Sequence, residues 1–336
     1  MTTTRVLGRS GIEVSALGMG CWAIGGPLWG ENWQPFGWGE VDDDESIRTV
    51  HRALDLGVTL FDTASNYGAG HSERVLGRAL AGRRDEAVIA TKFGNISDEA
   101  TRLATGSDAS PAYAVRSLEE SLRRLGTDHV DLYQLHLGAL STDAALDLVG
   151  TLEDLVTAGK IRAYGWSTDN PDKALAFAAA GPHCAAIQHD QSVLQDNARM
   201  LSVCEAVDQA SVNRGPLAMG LLTGKYHGAA GRLGDDDVRG RAPEWLSWFA
   251  DGVATPEWAD RVDQVRAALT ADGRTLAQGA LGWLLARSPR TLPIPGCRTV
   301  AQAEENFGTL ALGPLSDEAF AEVERLLADL RTVPAA

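Results

Sequence analysis

The octapeptide Phe61-Asp62-Thr63-Ala64-Ser65-Asn66-Tyr67-Gly68 contains the clearest structural signal in the chain. It continues the apolar run of residues 58–60, which gives way abruptly to an acid, small polar residues and a glycine. This pattern is typical of a buried strand that ends in a loop. We therefore predict that Asp62 and Tyr67 lie at, or just beyond, the C-terminal end of a strand.

Two later apolar runs end in the same way. Residues 88–91 are followed by Lys92, and residues 130–135 are followed by His136. In a parallel barrel the C-terminal ends of the strands share one face, and active sites are built on that face. The three runs therefore predict that Asp62, Lys92 and His136 lie close together.

Strand and helix patterns alternate along the whole chain. The predicted strands are 16–21, 58–61, 88–91, 130–135, 161–166, 184–187, 211–213 and 291–294. Helices are predicted at 44–56, after Ser72, at 110–126 and 142–159, after Pro171, and at 197–207, 257–271, 275–286, 300–310 and 317–330. Eight rounds of alternation favour an α/β fold, a closed (β/α)8 TIM barrel, over an open sheet. Since such barrels run to this length, we predict a single domain over 1–336 that includes a β-hairpin at 4–14.

Long segments without a clear period are predicted to form the walls of a pocket. They are residues 22–39, residues 94–110 and the insertion 226–256, and the first contains Trp22, Trp29, Trp33 and Trp38. Loops of this kind vary freely on a fixed barrel and often carry binding residues. We expect these indoles to pack the loop onto the barrel rim and some of them to line a substrate pocket, Trp22 above all.

The charge balance and the cysteines exclude several classes of protein. A net charge of −15 argues against a nucleic-acid partner, because such binding needs a basic surface. No apolar run approaches the ~20 residues of a membrane span, and residues 1–5 lack the apolar core of a signal peptide. We therefore predict a cytoplasmic protein whose cysteines, Cys21, Cys184, Cys204 and Cys297, are reduced thiols without a CxxC pair.

Asp62, Tyr67, Lys92 and His136 resemble, in order and setting, the catalytic tetrad of the aldo-keto reductases. The resemblance extends through FDTASNYGAGHSERVLGRAL, IATKFG, DHVDLYQLH, AGKIRAYGWS, RGPLAMGLLTGKY and IPGCRTVAQAEEN. One of these pieces alone would be a weak signal, whereas their combination is highly specific. The resemblance implies a barrel whose N-terminal hairpin closes its bottom, and an NADPH-dependent reductase of aldehydes or ketones.

The four residues suit the chemistry of carbonyl reduction, in which a nicotinamide supplies the hydride. Tyr67 is the expected general acid, although its ordinary pKa of about 10 is too high unless it is tuned. We expect the Lys92 ammonium to lower that pKa and Asp62 to pair with Lys92. His136 is expected to orient the carbonyl or to help relay the proton. Each residue alone has a structural explanation, and only the constellation indicates a site.

The sequence has no GxGxxG fingerprint opening a βαβ unit, and the family binds extended NADPH across the barrel face without one. By position, the resemblance implies cofactor contacts from Gly20, Cys21, Trp22, Asp62, Ser167, Gln188, Arg214, Gly215, Pro216, Leu217, Gly220, Leu221, Lys225, Gly296, Arg298, Gln302, Glu305 and Asn306. Arg298 just precedes a predicted helix, and helix N-termini and Arg both favour phosphate. The alternative for Arg298 is a solvated loop charge.

Three positions depart from the pattern of many relatives. Thr168 stands where those relatives have Asn, and Arg214 stands where they place an aromatic ring on the nicotinamide. Gln302 stands where several carry an Arg that binds the 2′-phosphate. Because of this last change, NADH is a possible cofactor beside NADPH.

Other functions are compatible with parts of the pattern. A metal-dependent barrel hydrolase would need clustered His and carboxylate ligands, and the His residues are dispersed, so no metal is assigned. The tetrad would also serve a dehydrogenase of a sugar or secondary alcohol. A nucleotide-binding regulatory subunit, like the family's potassium-channel β-subunits, is a third possibility. The sequence identifies neither the small-molecule carbonyl substrate nor the oligomeric state.

Overall fold

The structure is a computed structural model that describes residues 4–226, 232–241 and 243–331. Within those residues, one sheet contains eight parallel strands: β1 (Met19–Gly20), β2 (Leu60–Asp62), β3 (Val88–Phe93), β4 (Val130–Leu135), β5 (Ile161–Ser167), β6 (Cys184–Asp190), β7 (Ala210–Arg214) and β8 (Thr291–Pro293). Neighbouring strands in the sheet are neighbours in chain order. Each predicted strand therefore corresponds to an observed one, with ends that differ by up to a few residues.

The sheet closes on itself between its first and last strands. Gly20 forms a parallel bridge with Gly296, and the Gly20 amide donates to the Pro295 carbonyl oxygen at 3.0 Å. A Cβ atom on Gly20 would lie 2.7 Å from the backbone oxygen of Ile294, so this seam requires a residue without a side chain. The closed sheet confirms the predicted (β/α)8 TIM barrel.

The barrel is surrounded by helices whose ends follow from local sequence. They are α1 (Asp43–Asp55), α2 (His71–Ala79), α3 (Pro111–Leu125), α4 (Thr142–Leu146), α5 (Val149–Thr157), α6 (Pro171–Ala180), α7 (Ala198–Ala206), α8 (Pro256–Leu269), α9 (Leu276–Arg287), α10 (Val300–Phe307), α11 (Thr309–Leu312) and α12 (Asp317–Arg331). At α3, Ser110 Oγ accepts from the Tyr113 amide and Gly126 adopts a left-handed conformation. This arrangement of Ser, Pro and Gly at the helix ends confirms the predicted α3.

The N-terminal hairpin closes the bottom of the barrel, as predicted. Its strands, Thr4–Val6 and Glu13–Ser15, pair in antiparallel fashion, and Leu7 between them is fully buried among the apolar side chains of the barrel interior. Gly8 has a φ of +51°, and a Cβ atom there would lie 2.1 Å from the carbonyl oxygen of Ala185. Only glycine permits both this φ and this close approach at low cost.

Ser72, whose position before an apolar stripe suits a helix cap, is not the cap of α2. Gly70, in a left-handed conformation with φ +82°, precedes the helix, which begins at His71. Ser72 lies inside the first turn, and its hydroxyl donates to the carbonyl oxygen of Cys21 at 2.7 Å. Ser72 therefore connects α2 to the loop that follows β1 instead of capping the helix.

Two segments differ from their predictions: a predicted loop contains a hairpin, and a predicted helix is divided in two. The polar loop 94–110 contains an antiparallel hairpin, Asn95–Asp98 with Leu103–Ser107, which its weakly apolar sequence did not indicate. The helix predicted over 142–159 is divided into α4 and α5. In both cases the hydrophobic period alone did not fix the hydrogen bonding of the backbone.

The insertion 226–256 can be described only in part. Residues 227–231 and 242 lie outside the described residues, so the prediction for the whole segment is not tested. The described portion includes a short hairpin of Phe249–Ala250 with Val253–Ala254. Among the described helices, none is long and apolar enough to cross a membrane.

Candidate active site

A cavity of about 730 Å³ lies at the C-terminal ends of the barrel strands. Its lining includes Tyr67 and His136 from the barrel face and Gln302 and Asn306 from α10. Because it joins the predicted tetrad to the predicted end of the cofactor site, this cavity is the candidate active site.

Two of the four loop tryptophans line this cavity. The Trp22 indole stacks on the Tyr67 ring, with 6.0 Å between centroids and 26° between planes, and it contacts Trp38 edge to face. Trp33 is instead 63% exposed. Trp22 therefore lies at the site, as expected, and Trp38 forms the wall beside it.

Lys92 and Asp62 form a buried ion pair beneath the cavity. The distance from Lys92 Nζ to Asp62 Oδ1 is 2.5 Å, and the two side chains are 0% and 3% exposed. Lys92 also donates to the Thr63 carbonyl oxygen at 2.9 Å. The second carboxylate oxygen, Asp62 Oδ2, accepts from Gln134 Nε2 at 3.0 Å and from Gln188 Nε2 at 2.8 Å. A buried ion pair is stable when such hydrogen bonds satisfy its remaining polar atoms.

Tyr67 receives a hydrogen bond from this ion pair. Lys92 Nζ donates to Tyr67 Oη at 3.2 Å. Burial raises the pKa of Tyr67, Lys92 opposes this effect, and the net pKa is above its ordinary value. Lys92 does lower the pKa of Tyr67, as expected. The expectation that the net pKa lies below its ordinary value is wrong, because burial has the larger effect. The pKa of Lys92 is itself raised, because Asp62 and Tyr67 together outweigh the lowering effect of burial.

His136 lies beside Tyr67, with 5.9 Å between ring centroids and 81° between planes. Its pKa is well below its ordinary value because of burial first, and then because of the positive charges of Lys92 and Arg214. The imidazole is therefore neutral at pH 7. His136 Nδ1 is buried and has no hydrogen-bond partner among the residues that the structure describes. The arrangement can orient a carbonyl group by hydrogen bonding without supplying a charge.

Arg214 ends β7 and is held by two carboxylates. Its Nη2 lies 2.5 Å from Asp169 Oδ2 and 3.0 Å from Asp190 Oδ2, and all three residues line the cavity. Burial and the nearby Asp169 raise the pKa of Asp190 to about 6, although Arg214 opposes this shift. The two acids were not predicted as site residues. Both follow or end predicted strands, which is the same signal that identified Asp62.

The structure brings most of the expected cofactor residues to one cavity. Fifteen of the eighteen line it: Gly20, Trp22, Asp62, Gln188, Arg214, Gly215, Pro216, Leu217, Gly220, Lys225, Gly296, Arg298, Gln302, Glu305 and Asn306. The remaining three, Cys21, Ser167 and Leu221, are buried and do not line it. The Cys21 thiol contacts the Met19 carbonyl oxygen.

Arg298 makes its contacts with the protein itself. Its guanidinium donates to the carbonyl oxygens of Trp38 and Glu40 at 2.7 and 2.5 Å. Its backbone amide donates to Gln302 Oε1 at 2.7 Å. These contacts connect the segment after β8 to the loop after β1, so Arg298 is not simply a solvated loop charge. Its contact with a cofactor phosphate stays a prediction.

Arg239 is a site residue that sequence reasoning missed. Only 7% exposed, it pairs with Asp237 at 2.6 Å and donates to Tyr226 Oη at 2.6 Å. Its guanidinium also lies 4.6 Å from the Trp38 ring centroid, a cation–π distance. The surrounding Gly- and Asp-rich sequence gave no periodic signal, so nothing distinguished this arginine from a solvated one.

The described residues contain no group of three or more His, Cys, Asp or Glu side chains arranged to hold a metal ion. The cysteines are free and buried: Cys21, Cys184, Cys204 and Cys297. The ionisable groups that do converge, Asp62, Lys92 and Tyr67, suit proton transfer instead.

Comparisons with known proteins agree with this arrangement. A sequence model described as the Aldo/keto reductase family matches residues 16–328. Aldo-keto reductase YhdN from Bacillus subtilis is 33% identical over 303 residues, covering 88% of this chain and 85% of that protein. The glycerol dehydrogenase AKR11B4 from Gluconobacter oxydans has a TM-score of 0.81 and 30% identity, covering 99% of this chain and 97% of that chain. An aldo-keto reductase from Klebsiella pneumoniae in complex with NADPH has a TM-score of 0.69 and 25% identity, covering 97% and 95%.

Proposed function

The chain belongs to the aldo/keto reductase family of NAD(P)H-dependent oxidoreductases, and on that premise we propose that it reduces an aldehyde or ketone with NADPH, using Tyr67 as the general acid. One observation supports this assignment most directly. Tyr67 lines the cavity, and its hydroxyl lies 3.2 Å from the buried Lys92 ammonium, whose counter-charge is Asp62.

Tyr67 donates its proton to the carbonyl oxygen as negative charge develops there. The phenolate that remains is stabilised by the ammonium of Lys92. Asp62 keeps Lys92 charged in a site where burial alone would favour the neutral amine. In the reverse direction the phenolate accepts the proton of the alcohol.

His136 holds the carbonyl oxygen in this proposal. Because its imidazole is neutral at pH 7, it acts through a hydrogen bond, and Tyr67 stays the proton donor. The indole of Trp22, stacked on Tyr67, excludes water from one side of the phenol. Bound NADPH supplies the hydride that a protein side chain cannot supply.

The cavity has the chemistry that a dinucleotide needs. Its wall contains glycines, at which a chain can approach closely, and the cationic residues Lys225 and Arg298. Two of the polar atoms buried at this cavity, Asn66 Oδ1 and Trp38 Nε1, have no hydrogen-bond partner among the described residues. Such atoms fit a polar ligand. The Klebsiella pneumoniae relative contains NADPH, which supports the same cofactor here.

We further propose that residues 1–336 act as one catalytic domain, because the site combines residues from several strands of one barrel. The cytoplasmic location and the absence of a nucleic-acid partner stay predictions from the sequence.

Oxidation of a polyol is a second candidate for the working direction. It is favoured by the likeness to the glycerol dehydrogenase AKR11B4, which has the highest TM-score of the structures described above. The Tyr67–Lys92 pair serves both directions, since one needs the phenol and the other the phenolate.

The test is a panel of aldehydes and ketones with NADPH, in which loss of the reduced cofactor is followed optically. The same panel of alcohols and polyols with NADP⁺ is measured in parallel. We expect reduction of at least one carbonyl class at neutral pH. Binding of NADPH with no turnover in either direction would contradict the enzymatic proposal and favour a nucleotide-binding regulatory protein.

A further inference from the structure

The N-terminal end of α10 is occupied by a carboxylate of the chain itself. The amide of Val300, the first residue of α10, donates to Glu45 Oε1 at 2.9 Å. Glu45 belongs to the first turn of α1 and is 27% exposed. The hydroxyl of Thr299 accepts from the Gln302 amide, so a second α10 amide is also satisfied within the protein.

The positive charges around this end are engaged as well. Arg48 lies 2.8 Å from Glu45 Oε2, and Arg52 lies 2.9 Å from Glu304 on α10. The Arg298 guanidinium donates to loop carbonyl oxygens. The hydrogen bond from Val300 and the Arg48 contact lower the pKa of Glu45, so this side chain is an anion at neutral pH.

NADPH and NADH differ by one 2′-phosphate on the adenosine ribose, which is remote from the hydride. Under the proposed function this group approaches Arg298 and Gln302, which line the cavity and lie directly before and within the first turn of α10. A phosphate would be attracted by the free amides and positive end of a helix. Here Glu45 has already taken the Val300 amide, and its negative charge would repel the phosphate.

We propose that Glu45 is a specificity-determining residue for the cofactor: by occupying the N-terminal end of α10, it weakens NADPH relative to NADH. The inference rests on the proposed function, because it assumes that the dinucleotide lies along the cavity. It concerns affinity and not the chemical step, since Glu45 lies on α1 and the described hydrogen bonds of its carboxylate are to Val300 and Arg48, not to a residue of the tetrad.

The experiment is Glu45→Gln, with NADPH and NADH binding measured by fluorescence titration in the absence of substrate. We expect the dissociation constant for NADPH to fall roughly tenfold, because the variant removes one negative charge that repels the phosphate. The constant for NADH is expected to change less than about twofold, because NADH places no phosphate at α10. Thermal unfolding of the variant is followed to show that it is folded.

Two further variants make the result specific. Asp44→Asn removes the same charge from the same exposed helical turn without touching Val300, and we expect it to leave the NADPH:NADH affinity ratio near that of the wild type. Arg48→Gln removes the cation that partly neutralises Glu45, and it should lower the ratio. This variant also tests the inference if Glu45→Gln does not fold.

The inference would be overturned if Glu45→Gln changed the dissociation constants of NADPH and NADH equally. It would also be overturned if Asp44→Asn changed the NADPH:NADH affinity ratio as much as Glu45→Gln does. A wild type that binds neither cofactor would overturn the proposed function first, and the carbonyl panel would show the same failure. A third result is a wild type that turns over carbonyls while Glu45→Gln and Arg48→Gln keep the wild-type NADPH:NADH affinity ratio. That result would overturn the role of Glu45 and leave the proposed function intact.

Discussion

Charged side chains are held in different ways at the barrel face and at the start of α10. At the barrel face, Lys92 and Asp62 are almost fully buried and lie on neighbouring strands. At α10, Glu45 and Arg48 are 27% and 58% exposed, and they lie on a surface helix. Coulomb interactions are much stronger in buried, water-poor surroundings than near the surface. The ion pair at the barrel face therefore interacts strongly, whereas water weakens the interaction of the pair at α10.

Under the proposed function, this difference separates the residues that set reactivity from those that set cofactor choice. The proton-transfer groups depend on a packed barrel core, so a change there should affect catalysis strongly and stability as well. Under the proposed function, the adenosine end of the cofactor depends on exposed contacts between α1, α10 and a loop. Exposed ion pairs typically contribute less than about 1 kcal/mol each, so substitutions there should adjust cofactor preference while leaving the chemical step nearly intact.

The largest effect is expected from Tyr67→Phe. The change removes only the hydroxyl and keeps the ring that packs on Trp22, so cofactor should bind with near-native affinity. We expect turnover to fall about 10²–10⁴-fold, the usual contribution of general acid catalysis. The measurement is steady-state reduction at saturating cofactor. Near-native turnover in a purified, folded variant would show that another group supplies the proton.

Lys92→Met should also reduce activity, by about 10²-fold, and should change its pH dependence. Lys92 lowers the pKa of Tyr67, so its loss moves that pKa further upward. Oxidation needs the phenolate, which forms above the pKa, and its rate profile should therefore shift to higher pH. Reduction needs the phenol, which persists below the pKa. The low-pH part of the rate profile for reduction should therefore keep its shape.

The measurement is a pH–rate profile in each direction. Asp62→Asn is the companion variant, because it keeps the shape of the side chain but leaves Lys92 without its counter-charge. Breaking a buried pair in this way costs about 3–5 kcal/mol of unfolding free energy, which denaturant unfolding would detect. If the profile of Lys92→Met matched that of the wild type, Lys92 would have no part in setting the phenol pKa.

The smallest effect is expected from Arg298→Ala. Because the guanidinium donates to the carbonyl oxygens of Trp38 and Glu40, its loss should loosen the wall of the cavity and weaken both cofactors. We expect about a tenfold rise or less in each dissociation constant, equivalent to one hydrogen-bonded group. Titration of both cofactors is the check. A loss confined to NADPH would show that Arg298 leaves the loop to bind the 2′-phosphate.

The barrel and the residues of the tetrad could be predicted because each rests on a local pattern. Apolar runs that stop at Asp62, Lys92 and His136 encode both the strand and the position of its last side chain. Since all C-terminal strand ends meet on one face, the fold then places these side chains near one another. Ser110 and Gly126 were predictable for a similar reason, because helix-end chemistry is local.

Interactions between distant segments could not be predicted in the same way. Nothing in the sequence around Glu45 indicates that it meets Val300, or that Arg298 meets the loop at Trp38. The net pKa of Tyr67 also depends on burial by the whole barrel face, which exceeds the local effect of Lys92. These outcomes depend on how distant segments pack together, such as α1 against α10, and the sequence contains no periodic signal for that packing.

The seam between Gly20 and Gly296 sets a limit on when the protein can finish folding during synthesis. The barrel cannot close until the residues after β8 have left the ribosome, and at about 5–20 residues per second this follows the appearance of β1 by tens of seconds. Until then the sheet has two open edges and an incompletely covered interior, features that promote association with other chains. We therefore expect nascent chains that stop before β8 to need a chaperone to stay dispersed.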